Sequence, residues 1–367
     1  MTDLVVLSLE RWDEVWRRNQ YLVHGLLATD PDLRVLFVEP PDDPLHDLRS
    51  RRRPSFGSST RQIDDRLWAY RPVKWLPRRI DPGADRRLAR FMRRAATRLG
   101  MTDPLLWVND PAASELAQVT GWRTLYDMTD DWAAASRPPA ELRRIIEGEQ
   151  WLLQNAASVV ACSPELVRRK SGLRDGIRLV RNGVDAARYR APAARPSDAP
   201  SGPYAVYVGT LHRDRIDVDL VESTARALAG HGHLLLVGPE AWGEADAARV
   251  RAAGAVVLGA RQRDTVPAYM QHADALIVPH VVSAFTESLD PIKLYEYQAV
   301  GRPIVSTPVA GFREAPRIRL ATGRDFADAV VSAVTTETQL THAANGEALD
   351  WSARVAEFRR ALTDGEQ

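Results

Sequence analysis

The chain has 367 residues, 45% hydrophobic and 26% charged, with a formal net charge of +1, a mean hydropathy of −0.30 and one cysteine, Cys162. That apolar content excludes global disorder and is enough for two domain cores. The single cysteine excludes a disulfide scaffold, and no apolar run approaches the ~20 residues of a membrane span.

The N-terminal MTDLVVLSLERWDE has neither a basic n-region nor a long apolar h-region, so it does not read as a signal peptide, and a cytoplasmic location is expected. In the first half, apolar patterning predicts strands at 4–9, 33–39, 66–72, 104–109, 122–127, 157–162 and 177–182. Helices are predicted at 13–29, 83–99, 111–119, 137–155 and 163–170. Residues 190-RAPAARPSDAPSGP-203 have no period and read as a linker. Strands follow at 203–210, 233–238, 255–259, 274–279, 303–307 and 317–321, with helices at 217–230, 241–252, 264–272, 291–300 and 324–335. Strands apolar on both faces, with helices between them, indicate parallel sheets covered on both sides. The expected fold class is α/β: two doubly wound, Rossmann-like domains facing a cleft, at 1–185 and 203–345, joined by a linker at 186–202. The 346–367 tail carries Trp351, Val355, Phe358 and Leu362 at helical spacing and is expected to form a helix that crosses back to the first domain. In such sheets ligands sit beyond the carboxyl ends of the strands, so candidate residues are sought in the loops that follow strands.

The most informative segment is 285-FTESLDPIKLYEYQAVGRPIVSTPVAG-311. Pro291 suits a first helical turn, and Gly301 suits a left-handed C-cap. Free N–H groups and the positive dipole end at a helix start favour phosphate. Lys293 adds a full charge there. Glu296, one turn on, can accept hydrogen bonds from the cis hydroxyls of a ribose. The alternative for the spacing alone is a surface Lys–Glu pair worth a few tenths of a kcal/mol. Only three lysines occur, Lys74, Lys170 and Lys293, among 49 basic residues, which sets each of them apart.

Residues 291-PIKLYEYQAVGRPIVST-307 fit a Glu–Tyr/Ala–x–Ala–x–Gly–x–Pro–Val–Val stretch and resemble the nucleotide-sugar signature of glycosyltransferases of GT-B architecture. The segments 180-VRNGVD-185, 204-YAVYVGT-210, 234-LLLVGP-239 and 256-VVLGARQRDTVPAYMQHADALIVP-279 extend the resemblance over nearly the whole chain. The Pro–x–Lys–x–x–Glu–Tyr variant is similar to bacterial cell-surface polysaccharide enzymes, including those of teichuronic acid synthesis. The resemblance implies a nucleoside-diphosphate-sugar site in the second domain, built from Gly209, Thr210, Arg213, Gly259, Arg261, Pro279, Ser288, Leu289, Lys293 and Glu296. It implies transfer of the sugar to a hydroxyl of a glycan, lipid-linked or small-molecule acceptor, with no cofactor and no essential metal. Lys293 and Arg215 would neutralise the leaving diphosphate. Two departures leave the stereochemical outcome open. Ser288 stands eight positions before Glu296, where the commoner motif has a second glutamate, with Glu287 off by one. The usual Arg…Lys pair after the glycine loop gives way to 209-GTLHRDRIDVDL-220, with Arg213 and Arg215. Arg215 is alternatively a surface arginine, and Arg261 either meets the base or is exposed.

In the first domain, 125-LYDMTDDWAAA-135 gathers Asp127, Asp130, Asp131 and Trp132 at a strand end. Clustered carboxylates that repel one another suit general-base work on a sugar hydroxyl, with Asp130 the first choice and helix capping the alternative. Arg18 and Asn109 are further acceptor-side candidates after strands. Residues 49–98 hold 16 Lys and Arg against 4 acids, with a cationic amphipathic helix at 83–101 and Trp68 and Trp75 beside it. That segment is a candidate for an anionic membrane surface, which would make the protein peripheral on the inner face. No nucleic-acid motif accompanies the charge. A nucleotide-sugar epimerase of the same architecture, or a catalytically silent partner protein, are the competing readings.

Overall fold

In the computed structural model, which describes residues 3–13, 15–49, 53–78, 80–336 and 350–363, the runs apolar on both faces are strands buried on two sides. Contacts divide the chain into two units, Met1–Arg181 with Arg354–Gln367, and Asn182–Ala353.

The first unit contains β1 (Asp3–Leu7), α1 (Arg18–Thr29), β2 (Arg34–Val38), α2 (Pro44–Arg49), β3 (Ser59–Asp64), β4 (Leu67–Arg71), α3 (Ala84–Arg98), β5 (Leu105–Val108), α4 (Ser114–Thr120), β6 (Thr124–Met128), α5 (Pro139–Asn155), β7 (Ser158–Ala161), α6 (Pro164–Lys170) and β8 (Arg178–Leu179). Its sheet runs β3-β4-β2-β1-β5-β6-β7-β8, parallel except for β3 against β4. The polar β3, 59-STRQID-64, has no apolar alternation, so the sequence reading passes over it. Helix α1 begins at Arg18 rather than near residue 13. The Arg17 N–H donates to Gln20 Oε1 at 3.1 Å, and the Trp12 N–H is drawn out of the helix to Glu39 Oε1 at 3.0 Å. The apolar side of α3, Leu88, Ala89, Met92, Ala95 and Ala96, is buried in the unit's core, while Arg86, Arg87, Arg90, Arg93, Arg94 and Arg98 are exposed. Residues 50–52 and 79 of the arginine-rich segment lie outside the described residues.

The second unit contains α7 (Ala186–Arg190), β9 (Tyr204–Val208), β10 (Leu211–His212), α8 (Val218–Ala227), β11 (His233–Val237), β12 (Glu240–Ala241), α9 (Glu244–Ala252), β13 (Val256–Gly259), α10 (Val266–Gln271), β14 (Ala275–Val278), α11 (Ile292–Val300), β15 (Ile304–Ser306), β16 (Ile318–Leu320) and α12 (Gly323–Thr335). The six-stranded sheet, β13-β11-β9-β14-β15-β16, is wholly parallel. Alternation along β9 feeds both faces. Tyr204, Val206 and Val208 enter one core cluster, and Ala205 and Tyr207 enter the other. Burying a large apolar side chain contributes about 1.5–3 kcal/mol, so a strand that serves two cores is held from both sides. The segment 186–202, expected to be a linker, lies inside this unit.

The last helix, α13 (Trp351–Thr363), packs largely within the first unit. The Phe358 ring lies 4.5 Å from that of Trp107. Val355 presses on Gly25 so closely that a Cβ there would stand 2.3 Å from a Val355 methyl. Residues 346–349 and 364–367 of the tail are outside the described residues.

Strand order reverses between β1 and β5 in the first unit and between β9 and β14 in the second. In open α/β sheets these reversals open crevices beyond the carboxyl ends.

Candidate active site

In the second unit the loops after β9 and β14 and the first turn of α11 bring together Gly209, Arg215, His280 and Lys293. Gly209 has φ 141°, and a Cβ placed on it would stand 2.5 Å from Lys293 Nζ, so any side chain here would displace the ammonium. Lys293 Nζ lies 4.9 Å from the centre of the Tyr207 ring, a cation–π contact that holds it beside the glycine. Tyr207 Oη and His280 Nε2 are 3.2 Å apart. Burial keeps Tyr207 protonated. Burial, followed by the charges of Lys293 and Arg215, pulls His280 well below the ordinary histidine range. Tyr207 and His280 are therefore both uncharged, and the two cations do not face a third. Arg215 spreads over the Phe285 ring at 5.5 Å, and its carbonyl accepts from the Val281 N–H at 2.8 Å. The site is thus a neutral polar floor with two cations beside a glycine loop, an arrangement suited to a diphosphate.

Helix α11 runs on from there. The helix begins at Ile292, one residue later than expected, with Pro291 as its N-cap, and Gly301 closes it at φ 79° with its N–H donating to the Tyr297 carbonyl. Glu296 lies one turn beyond Lys293. Its Oε1 accepts from the Tyr189 hydroxyl at 2.5 Å. Burial pushes its carboxyl above the usual range, against the pull of the Tyr189 hydrogen bond and of the Lys293 and Arg188 charges.

The remaining second-domain candidates lie around this centre. Thr210 follows the glycine, and its carbonyl accepts from the His212 N–H. The Pro279 carbonyl accepts from Asp217 at the start of α8. Ser288 is fully buried, and its hydroxyl donates to the Phe285 carbonyl at 2.7 Å. Leu289 is buried beside it, and Glu287 pairs with Arg313. Arg213 pairs with Asp246 at 2.5 Å. The Gly259 carbonyl accepts from the Gly238 N–H. Arg261 is neither open nor loose. Its guanidinium donates to the Leu258 carbonyl and to Asp198 Oδ2, the latter at 2.7 Å.

In the first unit two of the three carboxylates, Asp127 and Asp131, are each paired with cations. Asp127 is fully buried and receives Arg18 Nε and an Arg18 terminal nitrogen, each at 3.0 Å. Asn109 donates to Asp127 Oδ2 at 3.1 Å and accepts from Asn19 at 2.7 Å. This network fills the β1–β5 reversal. Asp131 is ion-paired with Arg169 at 2.8 Å and Lys170 at 3.1 Å, and Lys170 also reaches Glu149 at 2.7 Å. Asp130 is mostly buried, with the Thr129 hydroxyl 3.3 Å from its Oδ2. Trp132 receives the guanidinium of Arg137 at 5.8 Å. Among the described residues no group of three or more His, Cys, Asp or Glu is placed to hold a metal ion, and no helix is long and apolar enough to cross a membrane.

The two units are doubly wound α/β sheets, and the second carries a cationic glycine loop. Residues 202–336 match the model of the family described as glycosyl transferases group 1. A putative teichuronic acid biosynthesis glycosyltransferase of Bacillus subtilis, TuaH, is 25% identical over 219 residues, 55% of each chain. A glycogen synthase of Mycobacterium tuberculosis is 27% identical over 184 residues, 47% of this chain and 42% of that one. The match thus spans about half the length of these curated relatives. Among solved structures, sucrose-phosphate synthase from Thermosynechococcus elongatus is similar with a TM-score of 0.69 at 19% identity, over 98% of both chains. Anabaena HepE in complex with UDP and glucose is similar with a TM-score of 0.63 at 15% identity, over 99% of this chain and 100% of that one.

Proposed function

We propose that the protein transfers a glycosyl group from a nucleoside-diphosphate sugar to a hydroxyl of a glycan, lipid-linked or small-molecule acceptor in polysaccharide biosynthesis. The observation that carries this reading is Lys293, held on the Tyr207 ring against Gly209 and one turn before Glu296. The diphosphate would take the lysine and Arg215, and the ribose would take Glu296. As the glycosidic bond breaks, charge grows on the departing diphosphate. Fixed cations stabilise that charge more than they stabilise the bound donor, so the reading needs no metal or cofactor. Asp130, 9% exposed just after β6, is the proposed acceptor-side base. Uridine diphosphate is the first nucleotide to try, since HepE was solved with it.

The test uses a panel of UDP-, GDP- and TDP-sugars. A ligand at about 100 times its Kd should stabilise the protein by about 2.7 kcal/mol. The stabilising donor should then be consumed faster when acceptor is present. Conversion of the donor sugar without acceptor would instead indicate an epimerase, and no stabilisation by any member of the panel would contradict the reading.

The finer proposal places the first unit on anionic lipid. The apolar side of α3 is committed to the core, so the helix offers its exposed arginines, of which Arg86 and Arg87 also pair with Glu115 and Asp81. Phe56 and Trp75, stacked 6.1 Å apart and both exposed, supply the apolar contact, with Leu76 and Ile80 nearby in the chain. Flotation should recover the protein with phosphatidylglycerol vesicles in low salt and lose most of it in high salt. Equal recovery with neutral phosphatidylcholine vesicles would contradict it.

A further inference from the structure

The Pro- and Ala-rich stretch that follows α7 has no helical or strand period, yet with α7 it forms a strap around the nucleotide side of the second unit. Arg188 pairs with Asp264 at 2.7 Å, beside the loop expected to meet the base. Gln271 Nε2 donates to the carbonyls of Tyr189 and Ala191 at 2.9 and 2.8 Å, and Gln271 Oε1 accepts from the Ala193 N–H at 3.0 Å. Asp198 then receives the Tyr269 hydroxyl at 2.6 Å and Arg261 at 2.7 Å. Both ends of α10 are thereby tied to the strap. Within it, Tyr189 is 4% exposed and directs its hydroxyl to Glu296 Oε1. A buried donor on one carboxylate oxygen fixes the plane of the group and leaves the other oxygen for a ligand.

We propose that Tyr189 is a positioning residue for ribose recognition, orienting Glu296 so that the site distinguishes a ribose from a 2′-deoxyribose. The inference rests on the donor-site reading above and assigns that site a second layer of residues. Tyr189 touches no reacting atom; it acts through Glu296. The charged groups that face Glu296 are Lys293 on the same helix and Arg188 on α7. Without the tyrosine hydroxyl, burial is opposed only by those cations, so Glu296 protonates at a higher pH. Protonation removes charge from the hydrogen-bond acceptor, and nucleotide binding weakens on the acid side.

The experiment titrates the full chain, as wild type and as Tyr189→Phe, with UDP, 2′-deoxy-UDP and inorganic pyrophosphate. Phenylalanine keeps the ring in its core cluster, and thermal melting verifies the fold. Wild type should prefer UDP over its 2′-deoxy analogue. Tyr189→Phe should weaken UDP binding roughly five- to tenfold and the other two ligands less than about twofold, which collapses the preference. Its acid-side loss of UDP binding should begin at a higher pH than in wild type. In a Glu296→Gln background the same change should add less than about twofold, because the two residues act as one unit. An unchanged UDP preference, equal weakening of all three ligands, or additive losses in the double variant would overturn the proposal. Failure of wild type to bind UDP would overturn the uridine reading along with it, whereas wild-type discrimination retained by Tyr189→Phe would overturn the role of Tyr189 alone.

Discussion

Replacing Lys293 by methionine is expected to lower kcat/KM for the donor by about 10²- to 10³-fold, roughly 2.7–4 kcal/mol of transition-state stabilisation. Methionine preserves the length of the side chain and its packing on the Tyr207 ring, so melting of the unliganded protein should barely change. The loss should fall chiefly on kcat, because the ammonium meets the greatest charge as the diphosphate departs. A variant with near-normal kcat would remove Lys293 from the chemistry and leave it as part of the fold. Arginine at this position is expected to rescue poorly. Gly209 leaves room for a compact ammonium, and a planar guanidinium needs more space.

The second large effect concerns stability. Lys170→Met is expected to destabilise the first unit by about 3–5 kcal/mol, because Asp131 and Glu149 would remain buried beside an apolar side chain. For a domain of this size that corresponds to a fall in Tm of roughly 6–20 °C, to be read by calorimetry on the full chain. Burial disfavours the charged lysine, but Glu149 and Asp131 outweigh it and raise its pKa. The stabilisation is therefore complete below the ordinary lysine range and is lost as pH rises through the elevated value. A cost under about 1 kcal/mol would mean that Arg169 alone compensates Asp131.

What the sequence makes legible here is local. The Lys293–Glu296 spacing and the Gly301 cap lie on one short helix, where the pattern of residues dictates their geometry. The alternation of apolar strands and helices likewise marks the parallel sheets, though not their strand order. What it conceals is long-range pairing. Arg18 meets Asp127 across 109 positions, and Lys170 meets Asp131 across 39, so two aspartates that look repulsive along the chain are ion-paired in space. The rarity of lysine singles out Lys170 without naming its partners. Tyr189 and Asp198 were hidden for a different reason. A five-residue helix and a proline-rich strap show no periodicity, and their contacts with Glu296 and Arg261 form only once the unit folds. For Asp127 and Asp131, carboxylates that look unpaired along the chain are ion-paired in the folded unit.

The most direct test of the donor site is a crystal structure of the full chain grown with saturating UDP. The diphosphate should lie within hydrogen-bonding distance of Lys293 Nζ, against the backbone of Gly209 and Thr210, with the ribose hydroxyls on Glu296. Nucleotide bound elsewhere, or Lys293 still packed on Tyr207 with no diphosphate beside it, would contradict the account.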